Sequence, residues 1–226
     1  MKMIKWCVYG ALGTCSVLAA LVAQPVQAAE QYAYFSMDAG VALVPDIEVK
    51  EFVGVKLPSS FALDKATFSM SPGFRFDLVG GRNLSETVAL ELEAGLLYNA
   101  FDRISVSGAA AGVPFSVSEN LNDMNLWQFP VLVNVVYTFK LDSRFKPFLG
   151  AGAGGVFTVI QGHGSSEGDF TFAFQGMAGV KYELSDRVDI GVTYKFLGSL
   201  DHNFKGDAKT EGIYSHSLLA ALTFRM

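Results

Sequence analysis

Apolar and polar residues alternate with a period of two in one segment of this chain after another. From 68 to 79, Phe68, Met70, Pro72, Phe74, Phe76 and Leu78 share one face, while Ser69, Ser71, Gly73, Arg75 and Asp77 share the other. That pattern predicts a strand with one apolar and one polar side. Segment 88 to 99 repeats it, with Val88, Leu90, Leu92, Ala94, Leu96 and Tyr98 against Ala89, Glu91, Glu93, Gly95 and Asn99. So do 188 to 197 (Val188, Ile190, Val192, Tyr194, Phe196 against Asp189, Gly191, Thr193, Lys195) and 215 to 226 (Leu218, Ala220, Leu222, Phe224 against Ser215, Ser217, Thr223, Arg225). Segments 32 to 44, 126 to 139, 147 to 160 and 170 to 183 are less regular, and in 147 to 160 the glycines Gly150, Gly152, Gly154 and Gly155 blur both faces. Each of the eight runs about 10 to 14 residues, against about 5 to 6 for a soluble strand and about 9 to 11 for one that crosses a bilayer.

The connections alternate in length. Those at 80 to 87, 140 to 146 and 184 to 187 are short and polar, and those at 45 to 66, 100 to 125, 161 to 169 and 198 to 213 are longer. Short and long connections therefore lie on opposite rims. The expected fold is all-β, an eight-stranded antiparallel up-and-down transmembrane β-barrel with short periplasmic turns, long external loops and both termini in the periplasm. Aromatic residues near strand ends (Tyr32, Tyr34, Tyr98, Phe101, Trp127, Tyr137, Phe139, Tyr182, Phe224) are read as interface girdles.

Composition narrows the setting. Lys2 and Lys5 followed by the apolar stretch Cys7 to Val22 and the small-residue site Val26-Gln27-Ala28 read as a secretory leader over 1–29. The barrel domain is then 30–226, and because Cys7 and Cys15 both lie in the leader, it contains no thiol for a disulfide or a thiolate metal site. Of 17 basic and 22 acidic residues the leader takes two lysines, which leaves 15 against 22 and a net charge near −7. Nucleic acid is excluded as a partner by that balance. Hydrophobic residues make up 50% of the chain, yet after the leader no uncharged apolar run is long enough for a transmembrane helix. Such a composition crosses a bilayer only as a closed barrel, since open edges would leave backbone groups unpaired in lipid.

With apolar faces toward lipid, Asp38, Arg75, Asp77, Glu91, Glu93, Asn134, Gln175, Lys181, Asp189, Thr193, Lys195 and Arg225 point into the lumen. An eight-stranded interior is just wide enough for side chains to fill, and buried charge persists there only when paired. A turn centred near Asn83 would set Arg75 opposite Glu91, and one near Ser185 would pair Lys181 with Asp189. The expected role is a structural ion-pair network. Glu91 and Glu93 share a face as any lumen strand displays charge, so they are not read as a catalytic pair. His163, His202 and His216 show no metal-ligand spacing, and His216 and Ser217, being adjacent, belong to opposite faces. The glycines at 150–155 lack a following Lys-Ser/Thr and a helix, so they read as sites of close strand packing rather than a phosphate loop. Neither a catalytic site, a metal nor a cofactor is expected. Recognition, if any, belongs to the external loops.

The segments Tyr34 to Gly40 (YFSMDAG), Val88 to Tyr98 (VALELEAGLLY), Phe129 to Tyr137 (FPVLVNVVY), Pro147 to Gly154 (PFLGAGAG) and Phe174 to Tyr182 (FQGMAGVKY), in this order, resemble the OmpA-like and opacity-type small outer-membrane β-barrel family. The resemblance implies a monomeric eight-stranded barrel that anchors the envelope, presents surface loops, or forms a narrow pore. Leu222, Phe224 and the final Met226 resemble the family's assembly signal, with Met where an aromatic residue is usual. The partners implied are outer-membrane lipid, lipopolysaccharide, the barrel-assembly machinery and a surface ligand or host molecule. The chain is expected to serve as a structural or surface-interaction barrel. A narrow nonselective channel and a soluble lipocalin-like periplasmic barrel, with its apolar face inside, are the alternatives.

Overall fold

The computed structural model describes residues 32–49, 61–110, 112–121, 123–162, 165–203, 209–210 and 212–226. The leader read at 1–29 lies outside them. Thirteen strands follow in chain order: β1 (Ala33–Leu43), β2 (Ile47–Val49), β3 (Phe61–Met70), β4 (Gly73–Asn83), β5 (Val88–Ala110), β6 (Val113–Asn120), β7 (Asn125–Thr138), β8 (Phe145–Gly162), β9 (Ser165–Glu183), β10 (Val188–Ser199), β11 (His202–Asn203), β12 (Lys209–Thr210) and β13 (Tyr214–Arg225). Eight of them close a ring in the order β1, β4, β5, β7, β8, β9, β10, β13, with every neighbour antiparallel and β13 paired back to β1. Closure removes the sheet edges that lipid could not satisfy.

The alternation seen in the sequence becomes an inside and an outside. Val41, Phe74, Val131, Val133, Val135, Leu149, Phe172, Ile190, Val192 and Leu218 are exposed on the outer wall, while Asp38, Arg75, Asp77, Glu93, Gln175 and Lys195 are buried within. This is the reverse of a soluble barrel, and the lipocalin-like alternative falls with it. In β8 the blurred pattern resolves as well: Gly150, Gly152 and Gly154 share the inward parity of buried Phe148 and Val156, while Leu149 faces out.

Three departures from expectation concern where strands begin and end. The predicted strand 68–79 is broken at Ser71–Pro72, where proline has no N–H to donate. Phe68 and Met70 therefore end β3, opposite Ile104 and near Phe101, instead of starting the barrel strand. The segment 100–125 is also more regular than a loop. Strand β5 runs 23 residues to Ala110 and returns as β6, pairing Ala110 with Val113 and Arg103 with Asn120. Likewise β8 and β9 pair as far as Gly162 and Ser165, into the connection expected at 161–169. One rim thus carries short turns and the other carries a sheet in the order β2, β3, β5, β6 that stands beyond the ring.

Inside the ring, Pro130 on β7 interrupts the β5–β7 ladder, which passes from Ala94–Val131 to Leu97–Gln128 without the rungs between. Gly95 sits at that gap. A Cβ there would lie 2.5 Å from Asp77 Oδ1 and 2.9 Å from Pro130 Cγ, so a side chain would displace a lumen carboxylate.

Candidate functional site: an ion-paired lumen

Seven of the sequence-predicted lumen residues converge from six strands: Asp38 on β1, Arg75 and Asp77 on β4, Glu93 on β5, Asn134 on β7, Gln175 on β9 and Lys195 on β10. Arg75 Nε donates to both Asp77 oxygens at 2.9 Å, and its Nη2 donates to Glu93 Oε1 at 2.7 Å and Gln175 Oε1 at 2.6 Å. Lys195 Nζ donates to Asp77 Oδ2 at 2.8 Å and Glu93 Oε2 at 3.1 Å and lies 3.1 Å from Asp38 Oδ2. Glu93 Oε2 also accepts from Asn134 Nδ2 at 2.9 Å and Gln175 Nε2 at 3.0 Å. Three carboxylates thus share two cations out of water, as buried charge requires, and two amides add hydrogen bonds to Glu93, while Arg75 Nη1 has no partner among the described residues. Gly152 makes room for this: a Cβ there would collide with the Asn134 side chain.

Apolar layers flank the network. Toward the loop rim lie Ala42, Leu97, Leu132, Val156, Ala173 and Leu197, and beyond them Val44, Phe101, Leu126 and Ile213. Toward the turn rim lie Tyr34, Ala89, Val136, Phe148 and Met177. Between that layer and the ions is a pocket of about 20 Å³ bordered by Ser36, Asp38, Glu91 and Thr193, the space of a single water. A larger cavity of about 450 Å³ opens at the turn rim.

Two predicted pairings are corrected. Glu91 stands opposite Gly81, and Arg75 opposite Leu97, six residues further along β5 than expected. The turn is tied at 84–88, with Leu84 N–H donating to Val88 O at 2.8 Å and Ser85 Oγ accepting from Val88 N–H at 3.1 Å, so β4 continues through Gly80 and Gly81. Arg75 therefore pairs with Glu93, and Glu91 accepts from Tyr34 Oη at 2.5 Å. At the turn between β9 and β10, Leu184 N–H donates to Val188 O, which sets Asp189 opposite Glu183 and Lys181 opposite Gly191. Asp189 pairs with Arg225 Nη2 at 2.7 Å, while Lys181 Nζ sits over the Tyr34 and Phe148 rings at 4.9 and 5.1 Å.

Several interior partners escaped the sequence reading. Tyr34 and Phe101, assigned to girdles, are buried inside. Thr223 Oγ1 donates to Ser36 Oγ at 3.1 Å, which in turn donates to Asp38 Oδ1 at 2.7 Å. Shared parity with Asp38 was the available signal for Tyr34 and Ser36. His216 faces outward with Nδ1 2.7 Å from Tyr194 Oη, and Ser217 is buried on the opposite face. His163 lies outside the described residues. Among those described, no group of three or more His, Cys, Asp and Glu side chains is arranged to hold a metal ion.

The sequence model of the outer membrane protein beta-barrel domain matches residues 14–225. The chain belongs to that family. No curated protein matches it significantly. Among solved structures, Neisserial surface protein A is similar at 14% identity and a TM-score of 0.55, covering 86% of this chain and 97% of its own. The outer membrane protein OprG from Pseudomonas aeruginosa is similar at 14% identity and a TM-score of 0.51, over 86% and 97%. The outer membrane protease OmpT from Escherichia coli matches at 7% identity and 0.51, over 90% and 99%. At such identities the likeness is one of fold. The barrel belongs with small outer-membrane barrels in architecture.

Proposed function

We propose that this outer-membrane barrel has a structural and surface-interaction role, exerted through its loop rim, with a sealed lumen and no catalysis. The observation that carries this reading is the layering of the interior. An ionic layer whose Arg75 and Lys195 are both 1% exposed lies between apolar layers, and the pocket between it and the turn-rim layer is the size of a single water. Beyond the wall, the sheet of β2, β3, β5 and β6 offers an extended surface for recognition on a rigid scaffold. In this reading residues 30–226 remain after leader removal, the short turns and both termini face the periplasm, and Leu222, Phe224 and Met226 engage the assembly machinery. The charged lumen residues then stabilise the fold and conduct nothing. Lipid and lipopolysaccharide meet the outer wall.

The test combines membrane fractionation, gel mobility with and without boiling, and conductance in planar bilayers. The reading requires outer-membrane recovery, heat-modifiable mobility and a silent bilayer. Regular single-channel steps from the purified barrel would replace it with the pore reading.

A further inference from the structure

The turn-rim cavity holds an arrangement that the network does not explain. Lys146 on β8 and Lys181 on β9 are directly opposed in register, both of inward parity, and both line the cavity of about 450 Å³. Like charges set opposite each other across strands are destabilising unless something lies between them. A second like-charge pair, Asp189 opposite Glu183, has its counter-ion: Arg225 reaches Asp189 at 2.7 Å and Glu183 at 3.5 Å. The lysines are served less well. Lys146 Nζ has Glu183 at 3.9 Å and the Leu141 carbonyl at 3.2 Å, whereas the contacts of Lys181 Nζ are the Tyr34 and Phe148 rings, with no carboxylate oxygen of the described residues within 4.0 Å. Glu91 and Asp189 act on the Lys181 charge only through space, their hydrogen bonds going to the Tyr34 hydroxyl and to Arg225. Tyr32, Tyr34 and Phe139 also line the cavity, and its charged lining balances Lys140, Lys146, Lys181 and Arg225 against Glu86, Glu183 and Asp189, an excess of one cation.

We propose that this vestibule is a binding site for an oxyanion, a phosphate or carboxylate group bridging Lys146 and Lys181, with any apolar portion of its bearer against Tyr32, Tyr34 and Phe139. The volume lies in the range of small-molecule sites, about 300 to 1,000 Å³. Two ammonium groups facing one cavity donate charge-assisted hydrogen bonds, the strong kind, to an oxygen-rich anion. The bearer is either a free anion of the compartment that the turn rim faces or the headgroup of a neighbouring anionic lipid.

The experiment uses the folded barrel with its lysines carrying ¹³C-labelled methyl groups, followed by NMR. One arm titrates inorganic phosphate into barrel in a glucoside detergent, with chloride at matched ionic strength as control. The other arm places the barrel in nanodiscs of zwitterionic lipid with or without phosphatidylglycerol. Saturable shifts at Lys146 and Lys181, but not at Lys65 on β3 beyond the opposite rim, are expected in one or both arms, and the arm that responds names the source. Lys181→Met should weaken the response at Lys146 about tenfold or more, and Lys181→Arg should retain it. Heat-modifiable mobility verifies that each variant is folded, and Lys146→Met read at Lys181 gives a second route. Equal shifts with chloride, shifts spread over all lysines, or a Lys181→Met barrel that responds like the parent would overturn the proposal.

Discussion

Arg75 Nη2 lies 2.7 Å from Glu93 Oε1 although the two residues are not cross-strand partners: Arg75 faces Leu97, and Glu93 faces Val79. The guanidinium reaches diagonally across β4 and β5 to make the bond. Removing one partner leaves the other buried without compensation, so Arg75→Met and Glu93→Leu should each destabilise the barrel by about 3–5 kcal/mol, read as a lower urea midpoint for loss of the compact gel form. The swap Arg75→Glu with Glu93→Arg should recover part of that loss. The swap with Glu91 should recover none, since Glu91 faces Gly81 and holds Tyr34. Rescue by Glu91→Arg would show that the register described for β4 and β5 is wrong.

Two glycines in neighbouring strands make opposite predictions. A Cβ at Gly152 meets the Asn134 side chain, while one at Gly176 meets nothing within 4 Å. Gly152→Val should therefore cost about 1–3 kcal/mol or block folding. Gly176→Val should fold with parental yield. Equal yields of heat-modifiable barrel from the two variants would count against the close packing assigned to β8.

The outer wall can be probed in the same way. Val133 and Val192 are half exposed in the middle of β7 and β10 on the face assigned to lipid. Arginine at either position should cost about 2–4 kcal/mol in bilayers. Ser118→Arg on β6, exposed beyond the ring, should change folding in vesicles little. A wall that accepts arginine as readily as β6 does would argue that lipid does not surround it.

Limited digestion tests the sheet beyond the ring. Arg103 lies in β5 with Ser69 of β3 on one side and Asn120 of β6 on the other. Flanked by a paired strand on each side, it should resist trypsin in the folded barrel and be cut only after boiling. Rapid cleavage after Arg103 in the heat-sensitive compact form would mean that this part of β5 is not held as a strand.

Most of the ring and the polarity of its faces could be read from alternation alone, because lipid and lumen impose opposite chemistry on successive side chains. Parity placed Arg75, Asp77, Glu93 and Lys195 on one surface but could not say which pairs meet. Register depends on turn centres, and these are set by local bonds such as Ser85 Oγ to Val88 N–H and by glycines that let β4 continue past Gly80. A shift of the turn centre by one residue moves every partner by two. The sheet beyond the ring was hidden for another reason. Ser105, Ser107, Ser116 and Ser118 alternate with Val106 and Val117, but β6 is open to water and the outer half of β5 is largely half-buried on both faces, so no strong contrast marks it. The end of β3 was legible only in Pro72, which the regular spacing of its apolar neighbours disguised.

The unbroken course of β5 has a mechanical meaning. One strand carries Glu93 in the ionic layer and Val106 in the sheet beyond the ring, and at about 3.3 Å per residue its 23 residues reach about 75 Å. Flanked by β3 and β6, its outer half is a mast rather than a tether. Anything that grips its tip is held at a set height and bearing above the membrane, and a pull there loads the same backbone that anchors Glu93.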